Sequence, residues 1–216
     1  MEVELDLLKA GIRRFRTAVY PAQAEIYKKA ATEPQHPAAL IVACADSRID
    51  PELITQSCPG ELFVMRNIGN LVPAYGEMLG GVSAVVEYAV SALKVKHVVV
   101  CGHTDCGAMK ALLKPKSMDS MPTVKSWLTN AQAALSVANS LAKPDEKPSE
   151  RLKRLTEENV LLQLQHLRTH PSVAGAMARA ELSLSGWVYD IGTGEVRISE
   201  NGDRGFRPVL IEGDDT

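Results

Sequence analysis

The chain has 216 residues, 45% of them hydrophobic and 23% charged, with 24 basic side chains against 26 acidic ones. That length carries a sizeable core, and a formal charge of −2 with a pI near 6.2 gives no electrostatic support to nucleic-acid binding. Four cysteines and five histidines are too few for a disulfide scaffold of this size.

Residues 1–8 lack the basic start and apolar core of a secretory signal. No stretch reaches the roughly 18 apolar residues of a membrane helix, since the most apolar one, 80–95, carries Glu87 and Lys94. A cytoplasmic protein without membrane contact is therefore expected. Leu5, Leu7, Leu8, Ile12 and Phe15 recur at helical spacing until Pro21 interrupts them, and 22–31 reads as a second helix. Residues 1–33 thus form a helical arm on one domain spanning 1–216. A turn at Gln35 and Pro37 leads into Ala39-Leu40-Ile41-Val42-Ala43, a continuous apolar run that predicts a strand buried on both faces. Leu62-Phe63-Val64-Met65 is a second strand. A helix follows from Gly80-Gly81 through Leu93, and 96–101 is the clearest strand of all.

This alternation predicts an α/β fold, a parallel sheet with helical crossovers. From Pro122 to His170 the pattern is helical, broken by a polar, proline-bearing loop at 143–148, and a short helix runs from Pro171 through Arg179. Ser183 to Asp190 reads as a strand that reverses at Gly192-Thr193-Gly194 into an antiparallel edge strand over 195–199. The tail at 213–216 reads as frayed.

Two short motifs follow directly on two of these strands. They are Cys44-Ala45-Asp46-Ser47-Arg48 and His103-Thr104-Asp105-Cys106-Gly107. In open α/β sheets, ligands bind at the carboxyl ends of strands, above all where the winding direction switches. Cys44, His103 and Cys106 offer two thiolates and an imidazole, a donor set that suits zinc. Their separation is too long for a zinc finger but normal for neighbouring strands joined by crossovers. Three protein ligands leave the fourth tetrahedral position to water or substrate, the layout of a catalytic zinc. Asp46 and Arg48 alternate with Cys44, so an extended backbone turns all three to one side. Asp46 then either ligates the metal or accepts a hydrogen bond from coordinated water, and Arg48 holds it ionised through a bidentate pair.

The remaining candidates read as structural. Cys101, in mid-strand, is a small buried hydrophobe, and Cys58, before Pro59-Gly60, is an inert turn cysteine. His166 and His170 have a chelating i, i+4 spacing but read as residues capping a helix C-terminus and facing solvent. His97 reads as structural. The glycines at 69, 76, 80 and 81 make no nucleotide-binding fingerprint.

Together with Pro59-Gly60-Glu61-Leu62-Phe63, Arg66-Asn67-Ile68-Gly69-Asn70, Gly80-Gly81-Val82-Ser83, Glu87-Tyr88-Ala89 and Gly186-Trp187-Val188-Tyr189-Asp190, the two motifs resemble the β-class carbonic anhydrases. The resemblance is strongest to the bacterial and cyanobacterial branch that includes the cyanate-linked enzymes, and it covers nearly the whole chain. It implies a four-stranded parallel core with an antiparallel fifth strand and helices on both faces. It also implies a dimer, or a larger assembly, in which the N-terminal helices embrace the partner and the active site lies at the interface. One zinc ion per subunit is implied on Cys44, His103 and Cys106, with Asp46 and Arg48 as the catalytic dyad. Asp46 is also implied as a fourth ligand in a closed state. Gln35, Phe63, Ile68, Tyr88 and Gly107 are implied to bind the substrate, carbon dioxide or bicarbonate.

Carbon dioxide is small and uncharged, which suits a narrow apolar pocket beside a metal that acidifies water. Two thiolates make zinc a weaker acid than imidazoles do, so Asp46 is expected to align the attacking oxygen, Gln35 to donate to the developing charge, and His36 to carry the proton away. Family members inhibited by bicarbonate at a second site use a tryptophan, an arginine and a tyrosine. Arg66 and Tyr189 match, but Ile41 stands at the tryptophan position, which puts that pocket in doubt. Two alternatives remain open: hydrolysis of carbonyl sulfide or carbon disulfide, and a purely structural zinc site.

Overall fold

Ala39–Cys44 (β1) is a strand whose last five residues are all buried, as its unbroken apolar run requires. In the computed structural model, which describes residues 2–77, 79–200 and 202–210, β1 pairs in parallel with Leu62–Asn67 (β2) on one side and His97–His103 (β3) on the other. Ser183–Tyr189 (β4) pairs in parallel with β3, and Val196–Glu200 (β5) runs antiparallel to β4. The α/β architecture is as expected, with one addition. A two-residue strand, Arg207–Pro208 (β6), pairs antiparallel with β5, so β5 is not the sheet edge. The order is β2-β1-β3-β4-β5-β6, and the winding reverses between β1 and β3. The tail at 213–216 lies outside the described residues.

Alternate residues of the strands face opposite layers. Leu40, Val42, Val98 and Val100 enter a large core, while Ile41, Ala43, Val99 and Cys101 form a smaller one on the other face with Ile49. The large core is covered by α5 (Gly81–Glu87), α9 (Pro148–Thr169) and α10 (Pro171–Ala178). Helix α9 lies close on β3 and β4 because both present glycine. A Cβ at Gly186 would stand 2.5 Å from Val160 Cγ1, and one at Gly102 would stand 2.8 Å from Val160 Cγ2. Val160 fills the space that any larger residue at those strand positions would need.

Two expectations are corrected. Pro21 does not end the first helix. Helix α1 (Glu2–Arg14) widens into a π-type turn at Phe15–Val19 and continues as α2 (Tyr20–Ala22), with Pro21 directly after the widened turn that accommodates it. The chain breaks at Gln23 and resumes as α3 (Ala24–Thr32). The arm is held to itself by Phe15, Tyr20 and Tyr27, whose ring centroids lie 5.2–6.1 Å apart. Val3, Leu5, Leu7, Leu8 and Ile12 remain exposed.

His166 and His170 do not face solvent. His170 is buried and donates its Nε2–H to Pro73 O at 3.0 Å, while His166 is half-buried and donates from Nδ1 to Val72 O at 2.8 Å. Burial lowers the pKa of His170 and, separately, of His97. The unfolded chain therefore binds protons near pH 6.5 that the folded chain refuses, and stability rises with pH through the window just below that value. The melting temperature is expected to fall as pH drops from 7 to 5. His170→Gln, which keeps an N–H donor but does not titrate, is expected to flatten that slope in a calorimetric series. An unchanged slope would assign the dependence to other groups.

Candidate metal centre

Each member of the Cys–His–Cys group sits where an element ends. Cys44 closes β1, His103 closes β3, and Cys106 immediately precedes α6 (Gly107–Leu113). Because β1 and β3 are neighbours at the reversal of the winding, their carboxyl ends open on the same crevice. All three residues are buried, and their ligand atoms lie within 4.8 Å of one another. The imidazole is already oriented. His103 Nδ1–H donates to Thr104 O at 2.8 Å, which leaves the lone pair on Nε2. Nε2 is buried and has no hydrogen-bond partner among the described residues. An orphaned buried nitrogen beside two thiols is costly unless a cation takes its lone pair.

The sulfurs point the same way. Cys106 donates to Cys44, which holds the Cys44 thiol well below its ordinary pKa against the effect of burial. That hydrogen bond and burial push Cys106 up in turn. By themselves the pair carries one negative charge, and only a cation lets both sulfurs ionise. The nearby backbone N–H groups of Asp46 and Gly69 act in the same direction on Cys44, and those of Ala108 and Met109 work against the rise of Cys106. The residues present therefore fit a soft-to-borderline dication such as zinc.

Asp46 stands next to this group, with Oδ2 3.9 Å from His103 Nε2. Both of its oxygens are committed to Arg48. Oδ1 accepts from Nε at 2.9 Å and from the Arg48 backbone N–H at 3.1 Å, and Oδ2 accepts from Nη2 at 2.7 Å. The guanidinium holds the carboxyl well below the usual carboxylate range. Two further residues complete the arrangement, and the sequence reading gave neither this role. Asp105 accepts from Arg48 Nη1 at 3.1 Å and is itself paired with Lys110. Arg66 reaches from β2 to donate Nε to Cys44 O at 3.1 Å and Nη2 to Asp46 O at 2.7 Å, fixing the loop that carries the first ligand. Asp105 was visible inside the second motif, but no local signal tells that Arg66 turns back onto the loop after β1.

Of the residues implied to bind substrate, Gln35, Ile68, Tyr88 and Gly107 are exposed in the single chain, while Phe63 is half-buried against the large core. Gln35 and His36 are exposed in the segment between α3 and β1, and Gly107 is exposed at the start of α6. Phe63 and Tyr88 pack with ring centroids 6.0 Å apart, Tyr88 being 51% exposed. Ile68 lines an apolar cavity of about 310 Å³ with Ala45, Asn67, Thr123, Val124 and Trp127. A larger cavity, about 640 Å³, lies at the far side of the sheet between Ile54, Trp187, Ile198 and Val209, and none of the three ligands lines it. Cys101 is buried, and that burial raises its thiol to about 12. Cys58 is half-buried in its turn, its N–H donating to the Glu61 carboxylate.

The family model for carbonic anhydrase matches residues 39–196, which include every residue of the metal centre. A carbonic anhydrase of Pseudomonas aeruginosa is 48% identical over 196 residues, covering 91% of this chain and 88% of that one. The chain belongs to the β-class carbonic anhydrases. Among solved β-carbonic anhydrases, CcaA superposes with a TM-score of 0.91 at 36% identity, covering 97% of this chain and 94% of that one. One of two tetrameric β-carbonic anhydrases from Sordaria macrospora gives 0.71 at 30% identity, covering 94% and 95%. In this carbonic anhydrase Arg66 is engaged with the backbone of the metal loop, and Ile41 is buried in the smaller core beside Tyr189.

Proposed function

We propose that this protein is a zinc enzyme that hydrates carbon dioxide reversibly to bicarbonate, with Cys44, His103 and Cys106 holding one zinc ion per subunit. The observation that carries the reading is the orphaned, pre-oriented His103 Nε2 facing two sulfurs beside an ionised Asp46. A zinc ion held there supplies Lewis acidity that makes water nucleophilic near neutral pH. Asp46 accepts the proton-side hydrogen bond that aligns the attacking oxygen, and Arg48 engages both Asp46 oxygens. Closure of the site by Asp46 as a fourth ligand would require that bidentate pair to open. Gln35 donates to the oxygen that gains charge, while Phe63, Ile68, Tyr88 and Gly107 wall the pocket and His36 carries the proton to solvent.

The exposure of these pocket residues in one chain supports a site completed by a second copy, making the working unit a dimer or larger assembly. The exposed apolar arm of α1–α3 and the tetrameric relative support the same reading. With Arg66 occupied and Ile41 buried, no second bicarbonate pocket is proposed. We read 1–216 as one catalytic domain whose arm, 1–33, serves dimerisation. The unpaired thiols fit a reducing, cytoplasmic setting.

Stopped-flow hydration with a pH indicator at pH 8.5 tests the proposal. Activity is expected, lost on chelation and restored by zinc. Zinc-bound protein without hydration activity would favour the structural-metal alternative, and turnover of carbon disulfide alone would favour the hydrolase.

A further inference from the structure

Arg48 reaches further than Asp46. Its Nε and Nη2 face the Asp46 carboxylate, and from its other side Nη1 donates to Asp105 Oδ2 at 3.1 Å. Asp46 and Arg48 are two residues apart on one loop, so a pair closed between them alone is free to swing with that loop. Asp105 comes 57 positions later in the chain. A guanidinium is planar and carries its donors in a fixed fork, so a carboxylate on each side sets both its plane and its rotation.

The second anchor is itself held. Asp105 lies between His103 and Cys106, on a loop tied to the end of β4 and the residues after it. The Thr104 N–H donates to Tyr189 O at 2.9 Å, and Thr104 Oγ1 accepts from the Ile191 N–H at 3.0 Å. The other Asp105 oxygen is paired with Lys110 on α6. Asp105 has φ +61°, a left-handed conformation that Asp and Asn tolerate better than most residues. The Arg48 and Asp105 side chains are 45% and 53% exposed, and ion pairs this open to water add little stability. What remains for the bond to supply is direction.

We propose that Asp105 is a positioning residue for the reaction: by holding the outer side of Arg48 it joins the loop of Cys44 to the loop of His103 and Cys106, and so places the Asp46 carboxylate toward the attacking oxygen. The inference rests on the reading of Asp46 given above.

The test uses the full-length, zinc-loaded protein. Asp105→Gly deletes the carboxylate and takes the positive φ without strain, while Asp105→Asn keeps the backbone preference and one oxygen that can accept from Nη1. In Asp105→Gly, kcat is expected to fall about tenfold, a part of the roughly 10²–10⁴-fold that a positioned proton acceptor supplies, with KM and zinc content unchanged. Asp105→Asn is expected to recover most of that loss. In the Asp46→Ala background Asp105→Gly is expected to cost nothing further, because the carboxylate it placed is gone. Nitrogen-15 spectra of the Arg48 side chain read the bond apart from turnover. The two Nη1 protons are expected to give separate signals in the parent protein and one averaged signal in Asp105→Gly, with those of Nη2 still separate.

An unchanged kcat in Asp105→Gly overturns the proposal, and so do averaged Nη1 protons in the parent. An equal further loss in the Asp46→Ala background also overturns it, since Asp105 then acts without Asp46. If Asp105→Gly takes up no zinc, Asp105→Ala is measured in its place, and loss of zinc in both makes Asp105 a support of the metal loop instead. A parent protein without zinc-dependent hydration overturns the reading of Asp46 and this inference with it, whereas an active parent indifferent to Asp105→Gly overturns this inference only.

Discussion

Cys106→Ala is expected to leave the protein without stoichiometric metal and without hydration activity above the solution rate. Cys106 is one of two cysteines in the group of three that could hold the metal, and it is placed by the start of α6. Alanine removes the ligand and its charge together, leaving one thiolate and one imidazole, too few to hold zinc against water. The fold is expected to survive. The residue is small, lies at the edge of a core built by Leu71, Met109, Leu112 and Leu128, and leaves Cys44 as an ordinary buried thiol. Metal content by emission spectroscopy and melting by circular dichroism read the two effects separately. A variant that keeps one zinc per chain would remove Cys106 from the ligand set.

Asp46→Ala is expected to do the reverse, keeping the metal and losing turnover. The carboxylate has both oxygens on Arg48, so it is not needed to retain the ion. What is lost is the acceptor that aligns the attacking oxygen, and a positioned proton acceptor contributes about 10²–10⁴-fold. Arg48 pairing holds Asp46 ionised far below neutral pH, so the role operates at every pH where the enzyme is folded, and the deficit of the variant is expected to be the same at pH 7 and pH 9. Arg48 is then left to Asp105 alone, which keeps it near its place. Full activity in Asp46→Ala would deny the carboxylate its part in the reaction.

The fold was legible where one physical signal dominated. β1 and β3 are unbroken apolar runs because both faces are covered, and the two motifs after them carry the three residues that come together as a group able to hold a metal, because strand ends carry the chemistry in this architecture. Legibility failed where a pattern has two causes. The polar stripe of α9 looks in sequence like a solvent face, but its partners are carbonyl and amide groups of a loop some 90 residues earlier, so His166 and His170 were placed outside when they belong inside. Pro21 reads as a stop unless a widened turn absorbs it. Arg66 matched a family position for one role while its geometry serves another, since a side chain's direction is set by packing that no local pattern encodes.

The spacing of Cys44 and His103 is a property of the sheet, because they end neighbouring strands whose ladder runs from Ala39–His97 to Ala43–Cys101, just short of both. The scaffold is therefore expected to form without the ion. Unlike a domain that must be gathered around its metal, this chain is expected to fold empty and to give up or exchange its ion without unfolding, so the active fraction in a cell tracks free zinc rather than the history of synthesis. Folding and activation are thus expected to be two separate events in the life of the molecule.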